Sequence, residues 1–320
     1  MSQKKILLTG AAGQIGQVLT QALVDKYGSE RVVATDISDD PGFSCHYEKL
    51  DVLDREAVKR ALQKHNVGHF YQLAAILSAT GEKNPALAWE VNMKGLLIAL
   101  ELSVELEIDR LFFPSSIAVF GEGVDKDHTL QDSVLIPNSV YGISKAAGEN
   151  WCKYYHGKYG LDVRSLRYPG VIGHETLPGG GTTDYAVDIF YEAVKKGHYE
   201  CFLKADTRLP MIYMDDAIRA TVELMDADSD RIKVRTSYNL QGMSFTPEEI
   251  AREIQKHRPD FTIEYAPDFR QDIADSWPGS LDDSAAQKDW GWKREFDLAK
   301  LTEEMYLSIQ KKTKRAIDYV

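Results

Sequence analysis

The chain has 320 residues, of which 43% are hydrophobic, so it is long enough for one large domain or two lobes around a sizeable core. Its 49 Asp and Glu residues outnumber 38 Lys and Arg residues, and the resulting net charge of −11 argues against nucleic acid as a partner. No apolar run approaches the roughly 18 residues that span a bilayer, and no signal or transit segment precedes the first strand pattern, so we expect a cytoplasmic protein without a membrane partner.

Through the first half of the chain, short apolar runs alternate with stretches of helical periodicity. Runs typical of strands occupy residues 5–10, 31–36, 48–52, 69–75, 110–116 and 162–170. Helical patterns occupy residues 15–27, 55–65, 85–107 and 139–159. Because strands and helices that alternate in this way form βαβ units with right-handed crossovers, the sequence predicts an α/β fold with a doubly wound, mostly parallel sheet.

The alternation of strands and helices becomes less regular in the second half of the chain. A Gly-rich loop near 178–186 leads into a helix, and residues 211–225 read as a strand followed by a helix. Thr246 precedes Pro247 and two glutamates, a pattern typical of a helix N-terminus. The last helix is expected at 298–311, with a solvated basic tail after it.

A glycine-rich turn joins the first predicted strand to the first predicted helix. The sequence TGAAGQIG places Gly10, Gly13 and Gly16 there, with a GxxGxxG spacing that differs from the GxGxxG dinucleotide fingerprint. Gly10 can form a tight turn, Gly13 allows a ligand to approach the backbone, and Gly16 allows the helix to pack closely on the strand. This context favours a pyrophosphate at the helix N-terminus, and the alternative is a set of glycines that serves only the turn.

Asp36 ends the next predicted strand. A carboxylate at this point can accept hydrogen bonds from the ribose hydroxyls of a dinucleotide, and it repels a 2′-phosphate. Because no Arg follows it in DISDD, the sequence favours NAD over NADP, with a capping role for Asp36 as the alternative. Asp51 is a candidate acceptor for the adenine amino group, or else an ordinary surface residue before a helix.

Two parts of the chain are therefore expected. Residues 1–170, with a contribution from 211–237, are expected to form a Rossmann-type NAD-binding domain. Residues 171–320 are expected to form mainly a smaller C-terminal substrate-binding lobe. No low-complexity linker separates the two, so we expect them to pack together.

Tyr141 and Lys145 lie one helical turn apart in SVYGISKAAGENW. A phenol, whose ordinary pKa is about 10, is a poor base at neutral pH, but positive charge from Lys145 and from an oxidised nicotinamide would favour its ionised form. Tyr141 could then accept the proton of a substrate alcohol. A lone YxxxK is usually an interfacial Tyr and a solvated Lys, but Ser115 and Ser116 add hydroxyls at a strand end, where ligands of such sheets bind.

Five features together resemble the extended short-chain dehydrogenase/reductase family, over about residues 4–311: TGAAGQIG, Asp36, QLAA (72–75), SSIAVFG (115–121) and YGISK (141–145). The resemblance implies that Ser116, Tyr141 and Lys145 are catalytic and that paired long helices form a homodimer. It also implies NAD contacts from Gly10, Gly13, Gln14, Ile15, Gly16, Asp36, Asp51, Val52, Leu73, Ala74, Ala75, Asn92, Tyr141, Lys145, Tyr168 and Pro169.

The second half departs from the nucleotide-sugar enzymes of that family. Ile117 and Ala118 stand where dehydratases carry an Asp–Glu pair, and YPGVIG replaces the usual Asn-Val-Tyr-Gly after strand six. The runs LPGGGTTDYAVDIFYEAV (177–194) and DSWPGSLDDSAAQKDWGW (275–292) are similar to L-threonine 3-dehydrogenases of the short-chain type. This resemblance implies NAD-dependent oxidation of the secondary alcohol of L-threonine to 2-amino-3-oxobutanoate, by a tyrosine base that the serine and lysine assist.

On that interpretation, backbone N–H groups of the Gly-rich loop and nearby hydroxyls hold L-threonine, and Trp277 forms part of a closing lid. The substrate-binding set is Ser78, Ser115, Ser116, Tyr141, Gly180, Gly181, Thr182, Thr183 and Trp277. The alternative is a merely flexible loop at 178–183 and a packing role for Trp277. A nucleotide-sugar 4-epimerase and a non-catalytic NAD-sensing regulator are the alternative functions.

No metal site is expected from the sequence. His65 and His69 have HxxxH spacing, but they straddle a helix end and the next strand. His46 follows Cys45 directly, with no partner motif nearby, so the pattern favours structural or exposed histidines. The three cysteines are scattered without a CxxC pair, which is typical of free thiols in a reducing compartment.

Overall fold

A computed structural model describes residues 4–177, 179 and 181–318 of the chain. The described residues form twelve strands: Lys5–Thr9 (β1), Val32–Asp36 (β2), His46–Lys49 (β3), Val67–Gln72 (β4), Arg110–Ser116 (β5), Val163–Tyr168 (β6), Gly170–Ile172 (β7), His198–Cys201 (β8), Leu209–Tyr213 (β9), Tyr238–Asn239 (β10), Met243–Phe245 (β11) and Thr262–Tyr265 (β12).

The α-helices of the described residues are Gln14–Tyr27 (α1), Arg55–Lys64 (α2), Ser78–Gly81 (α3), Pro85–Trp89 (α4), Gly95–Glu105 (α5), Val140–Tyr159 (α6), Tyr185–Lys195 (α7), Met214–Asp226 (α8), Pro247–His257 (α9), Arg270–Ser276 (α10), Ser284–Trp290 (α11) and Leu298–Asp318 (α12). Short 3₁₀ turns occupy Ser29–Arg31 and Ile117–Val119, and the π-helical turn Glu90–Lys94 joins α4 to α5. Within the part of the chain that the structure describes, no helix has both the length and the apolar character needed to cross a membrane.

Seven strands form one parallel sheet in the order β10-β6-β5-β4-β1-β2-β3. Alternate residues of a strand face opposite sides of the sheet, and both sides are apolar here. Ile6 and Leu8 of β1 pack in a cluster with residues of α1 and α8, whereas Leu7 packs in a second cluster with residues of α2, α5 and α6. Helices therefore cover both faces, and the sequence-based prediction of a doubly wound, Rossmann-type fold is confirmed.

The strand order also fixes where a ligand can bind. β1 lies between β4 and β2, so the chain winds outward in opposite directions from the centre of the sheet. At such a switch point the loops after neighbouring strands separate, and the carboxyl ends of the strands border a crevice. The loops after β1, β2, β4, β5 and β6 all reach this edge.

The second half of the chain builds a smaller lobe around a mixed sheet, β11-β9-β7, and a two-stranded sheet, β12-β8. Its core is a separate cluster of apolar residues contributed largely by α7, α9 and α12. The N-terminus of α9 carries the expected cap, because Thr246 and Glu249 each bond the other's backbone N–H. β10 returns to the large sheet beside β6, and α8 packs on α1, so part of the second half completes the first lobe.

Several predicted elements differ from the structure, of which three follow. The strand expected at 48–52 is instead His46–Lys49, because the Asp51 carboxylate accepts the N–H of Leu53 at 2.9 Å and turns the chain. The helix expected at 85–107 has the π turn in its middle, at the point where Asn92 binds a neighbouring loop. The last helix continues to Asp318, so the basic residues expected in a solvated tail belong to α12.

Candidate active site

A cavity of about 710 Å³ opens at the carboxyl ends of the central strands, a size typical of ligand sites. Almost all of the residues predicted to contact cofactor or substrate line it. They are Gly10, Gly13, Gln14, Ile15, Gly16, Asp36, Asp51, Val52, Leu73, Ala74, Ala75, Ser78, Ser115, Ser116, Tyr141, Lys145, Tyr168, Pro169, Gly181, Thr182, Thr183 and Trp277. Gly180 was also predicted, but it lies outside the described residues.

Asn92 is the one described member of the predicted set that does not line the cavity. Its amide accepts the N–H of Ile76 at 2.8 Å and donates to the carbonyl of Ile76 at 3.1 Å. It also donates to the hydroxyl of Ser144 at 3.2 Å. Its side chain therefore ties α6 to the loop after β4, as expected of the family's structural asparagine, and a direct contact to a cofactor stays a prediction.

The glycine turn after β1 is shaped by close backbone contacts. Gly10 has a φ of +68°, and a Cβ there would lie 2.7 Å from the backbone nitrogen of Ala74. A Cβ on Gly16 would lie 2.2 Å from the carbonyl oxygen of Gly10. At Gly13 the nearest atom to a Cβ is 3.3 Å away, so this glycine leaves room beside the N-terminus of α1. That helix start has no acidic residue in its first turn, so its free N–H groups fit a pyrophosphate.

Asp36 stands at the end of β2 and holds the loops around it. Its carboxylate accepts the N–H of Ala12 at 3.0 Å, and the N–H and hydroxyl of Ser38 at 3.1 and 2.8 Å. A carboxylate so placed at the rim of the cavity fits a ribose diol. Lys145 is the one basic side chain among the described residues that line the cavity, so a 2′-phosphate would meet Asp36 with no basic partner beside it.

Tyr141 and Ser116 meet because the start of α6 packs on the turn after β5. A Cβ on Gly142 would lie 2.1 Å from the carbonyl oxygen of Ala118, so only glycine allows this approach. Ser139 caps the helix by accepting the N–H of Gly142 at 3.1 Å. Tyr141 thereby reaches the cavity within hydrogen-bonding range of the Ser116 hydroxyl.

Burial governs the acid–base properties of Tyr141 and Lys145. Withdrawal from water raises the pKa of Tyr141 to about 12, although the hydrogen bond with Ser116 opposes this. Burial lowers the pKa of Lys145 to about 7. The Lys145 ammonium donates to the carbonyl of Pro114 at 2.6 Å and lies 5.5 Å from the centre of the Tyr141 ring. Burial is therefore the largest influence on the pKa of the phenol, and Lys145 alone does not acidify it.

A buried ion pair lies close to these catalytic candidates. Glu149 is one turn beyond Lys145 on α6, and both its oxygens accept hydrogen bonds from the guanidinium of Arg167, at 2.9 and 2.7 Å. Ser115 donates to the same carboxylate at 2.6 Å, so its hydroxyl proton is already engaged and only its oxygen could accept a hydrogen bond from the predicted substrate. Sequence patterns missed this network, because its members come from β5, α6 and β6 and carry no spacing signal.

The loop before α7 forms the opposite end of the cavity. The hydroxyls of Ser78 and Thr182 are buried and lie 3.3 Å apart. The N–H of Gly181 donates to the carboxylate of Asp184 at 2.7 Å, which corrects the expectation that this N–H is exposed for a ligand. Asp184 lines the cavity and was missed, since nothing in the sequence distinguished it from a surface residue.

Trp277 also lines this end of the cavity. It is 4% exposed, and its indole N–H has no hydrogen-bond partner among the described residues. An indole N–H is a donor only, and burying one without an acceptor is costly. The unsatisfied donor is therefore consistent with a polar ligand at this point.

Comparisons with known proteins agree with this geometry. Residues 6–240 match the model of the NAD dependent epimerase/dehydratase family. An uncharacterised epimerase/dehydratase of Staphylococcus haemolyticus is 48% identical, over 97% of this chain and 98% of the relative.

Two solved structures are also similar to this chain in sequence and in fold. The holo form of a GalE-like L-threonine dehydrogenase from Cupriavidus necator is 50% identical, with a TM-score of 0.94, over 95% of this chain and 99% of the other. A monomeric L-threonine 3-dehydrogenase from a metagenome is 49% identical, with a TM-score of 0.93, over 96% of this chain and 99% of the other. The family match and the holo-form structure indicate that the cofactor is NAD, and they support an NAD-dependent oxidoreductase. The chain therefore belongs to the NAD dependent epimerase/dehydratase family, within the extended short-chain dehydrogenases/reductases.

Proposed function

We propose that this chain is an L-threonine 3-dehydrogenase, which converts L-threonine and NAD+ into 2-amino-3-oxobutanoate, NADH and a proton. The observation that carries the proposal is that Ser116, Tyr141 and Lys145 share one cavity with the buried hydroxyls of Ser78 and Thr182. The first group suits the oxidation of an alcohol, and the second suits a small polar substrate. Solved structures of about 50% identity that are named threonine dehydrogenases support the same substrate.

The proposed division of labour follows from the contacts of each side chain. Tyr141 accepts the proton of the substrate hydroxyl, and Ser116 donates a hydrogen bond to the same oxygen while it becomes a carbonyl. When bound, oxidised NAD would supply a hydride acceptor and a positive charge near the phenol. Because burial holds the pKa of Tyr141 at about 12, we infer that this added charge is needed for the phenolate to form near neutral pH.

The two ends of the cavity are assigned to cofactor and substrate. We assign residues 1–170, with 211–237 and β10, to NAD, held by the glycine turn, Asp36, Asp51 and the segment after β4. We assign the rest of 171–320 mainly to the substrate. There Ser78, Thr182, Thr183 and Trp277 would contact L-threonine, and Gly181 could do so once Asp184 releases its N–H.

A homodimer is also proposed. α4 and α6 contact each other and expose large apolar side chains: Leu87, Trp89, Ile143, Trp151, Tyr154 and Tyr159. Such an exposed group suits an interface between two copies. Light scattering should report a dimer for the chain and a monomer for Trp151→Asp. A wild-type chain with the mass of a monomer would contradict the proposal, and one structural relative is described as monomeric.

The decisive assay is purified protein with NAD+ and L-threonine, monitored at the absorption band of the reduced cofactor. We expect NADH to accumulate only when threonine is present. Interconversion of UDP-sugars without net NADH would instead identify a 4-epimerase. Binding of NAD with neither reaction would identify a cofactor-sensing protein.

A further inference from the structure

A second group of chemically reactive side chains lies outside the cavity, at the outer edge of the large sheet. His46 and Glu48 lie on β3, and His65 follows the last residue of α2. The Nε2 atoms of both histidines lie 2.8 Å from the same carboxylate oxygen of Glu48. All three potential ligand atoms lie within 4.8 Å of one another.

The fold brings these residues together from two segments. Since strand residues two positions apart share a face, His46 and Glu48 point the same way. β3 is the last strand of its sheet and, among the described residues, pairs with β2 alone. The end of α2 places His65 beside this strand, with its ring centre 4.8 Å from that of His46. His65 is buried, whereas His46 is exposed.

The donor set matches one that divalent transition metals prefer. Two imidazole nitrogens and one carboxylate oxygen are the protein ligands of many four-coordinate zinc sites, in which water takes the fourth position. With metal–ligand bonds of about 2.0–2.1 Å, ligand atoms of a tetrahedral site are about 3.3 Å apart. The separations here require small side-chain rotations, which exposed His46 can make. The open side of His46 leaves space for the water.

One basic side chain competes for this position. The ammonium of Lys64, on the last turn of α2, also donates to the shared oxygen of Glu48. A cation on Glu48 would have to displace it, and Lys64 is exposed enough to move away into water. Because Lys64 competes with the ion for Glu48, removing Lys64 should strengthen metal binding.

We propose that His46, Glu48 and His65 form a binding site for a divalent transition-metal ion of the Zn²⁺ and Co²⁺ class. An ion there fastens the edge strand β3 to the end of α2. Leu50, Asp51 and Val52 follow β3 directly and line the cavity, so the ion also braces the wall that holds them. Metal bound only by the folded chain raises its thermal stability by mass action.

The test uses the untagged full-length chain, freed of metal with a chelator and titrated calorimetrically with ZnCl₂ and with CoCl₂. We expect one ion per chain and a higher melting temperature with metal. His46→Ala, at an exposed position that folding tolerates, should weaken binding about tenfold or more. The matched control is His198→Ala, which removes an exposed histidine of β8 and should leave the affinity unchanged.

Lys64→Gln provides an independent test, because its effect on metal affinity should be opposite to that of His46→Ala. It should tighten Zn²⁺ binding by about threefold or more, since one positive charge leaves the carboxylate that the ion needs. The proposal is overturned if the wild-type chain binds no metal, or if His46→Ala binds as tightly as the wild type. Weaker or unchanged binding by Lys64→Gln would overturn it as well.

Discussion

The two walls of the cavity are held in place by different kinds of interaction. On the glycine wall, the turn after β1 has its shape because Gly10 and Gly16 let backbone atoms approach more closely than any side chain allows. On the catalytic wall, formed by the end of β5 and the start of α6, buried polar side chains fix the geometry, above all the Glu149–Arg167 pair. Added side-chain atoms should therefore disrupt the glycine wall. Removal of a charged or hydroxyl group should disrupt the catalytic wall.

The largest effect is expected from Tyr141→Phe, on the catalytic wall. The variant keeps the ring and loses only the proton acceptor, so threonine-dependent NADH formation should fall by about 10²–10⁴-fold while NAD binding persists. Steady-state rates and a fluorescence titration with NAD measure the two properties separately. Turnover at the wild-type rate would mean that another group is the base.

Glu149→Ala should cause the largest loss of stability. Glu149 and Arg167 are 0% and 3% exposed, and removing the carboxylate leaves a buried guanidinium without its partner. We expect the free energy of unfolding to fall by about 3–5 kcal/mol, as measured by urea denaturation. Glu90→Ala, which removes an exposed partner of Lys94, is the control and should change it by less than about 0.5 kcal/mol. Equal effects of the two would contradict the role given to the buried pair.

The glycine wall can be tested with a matched pair of alanines. In Gly16→Ala the new methyl group meets the Gly10 carbonyl at 2.2 Å, so we expect a loss of about 1–3 kcal/mol in the free energy of unfolding. In Gly13→Ala the nearest contact is 3.3 Å, so stability should change little while NAD binds more weakly, because the methyl group enters the space beside α1. Thermal melts and NAD titrations separate these outcomes. If Gly16→Ala is as stable as Gly13→Ala, close packing does not shape this wall.

Asp36→Ala should have the smallest effect of the four. Loss of the carboxylate removes hydrogen bonds to the ribose, so the affinity for NAD should fall by about tenfold, and discrimination against NADP should decrease. Asp39→Ala, which removes an exposed carboxylate paired with Lys49, is the control and should change neither. Unchanged cofactor preference in Asp36→Ala would remove Asp36 from the NAD site.

The sequence predicts those features that depend on neighbours along the chain. The glycine turn and the Tyr141–Lys145 pair each lie within a few residues of one another, so their spacing is visible without a structure. Asp184, Arg167 and the His46–Glu48–His65 group gain their surroundings only when distant segments meet. The burial that raises the pKa of Tyr141 is likewise invisible in the sequence, since burial depends on the whole fold.

The accuracy of the predicted element boundaries also depends on whether the contacts that set them are visible in the local sequence. Helix α6 and strand β1 were placed to within a residue or so, because β1 is a short apolar run and α6 is bounded by local signals, Ser139 at its start and Gly160 at its end. The end of β3 depends on the Asp51 carboxylate, which accepts the backbone N–H of Leu53, and the π turn depends on Asn92 reaching the loop after β4. Neither contact changes the hydrophobic pattern, so the sequence gives no sign of it.

The central claim is that hydride leaves the alcohol carbon of L-threonine for NAD. The most direct test supplies L-threonine carrying deuterium at C3, together with NAD+, and follows the label in the reduced cofactor by mass spectrometry. The account predicts one deuterium per cofactor reduced, and labelling that is about 10²–10⁴-fold slower with Tyr141→Phe. Reduced cofactor without deuterium, or no reduction at all with threonine, would contradict it.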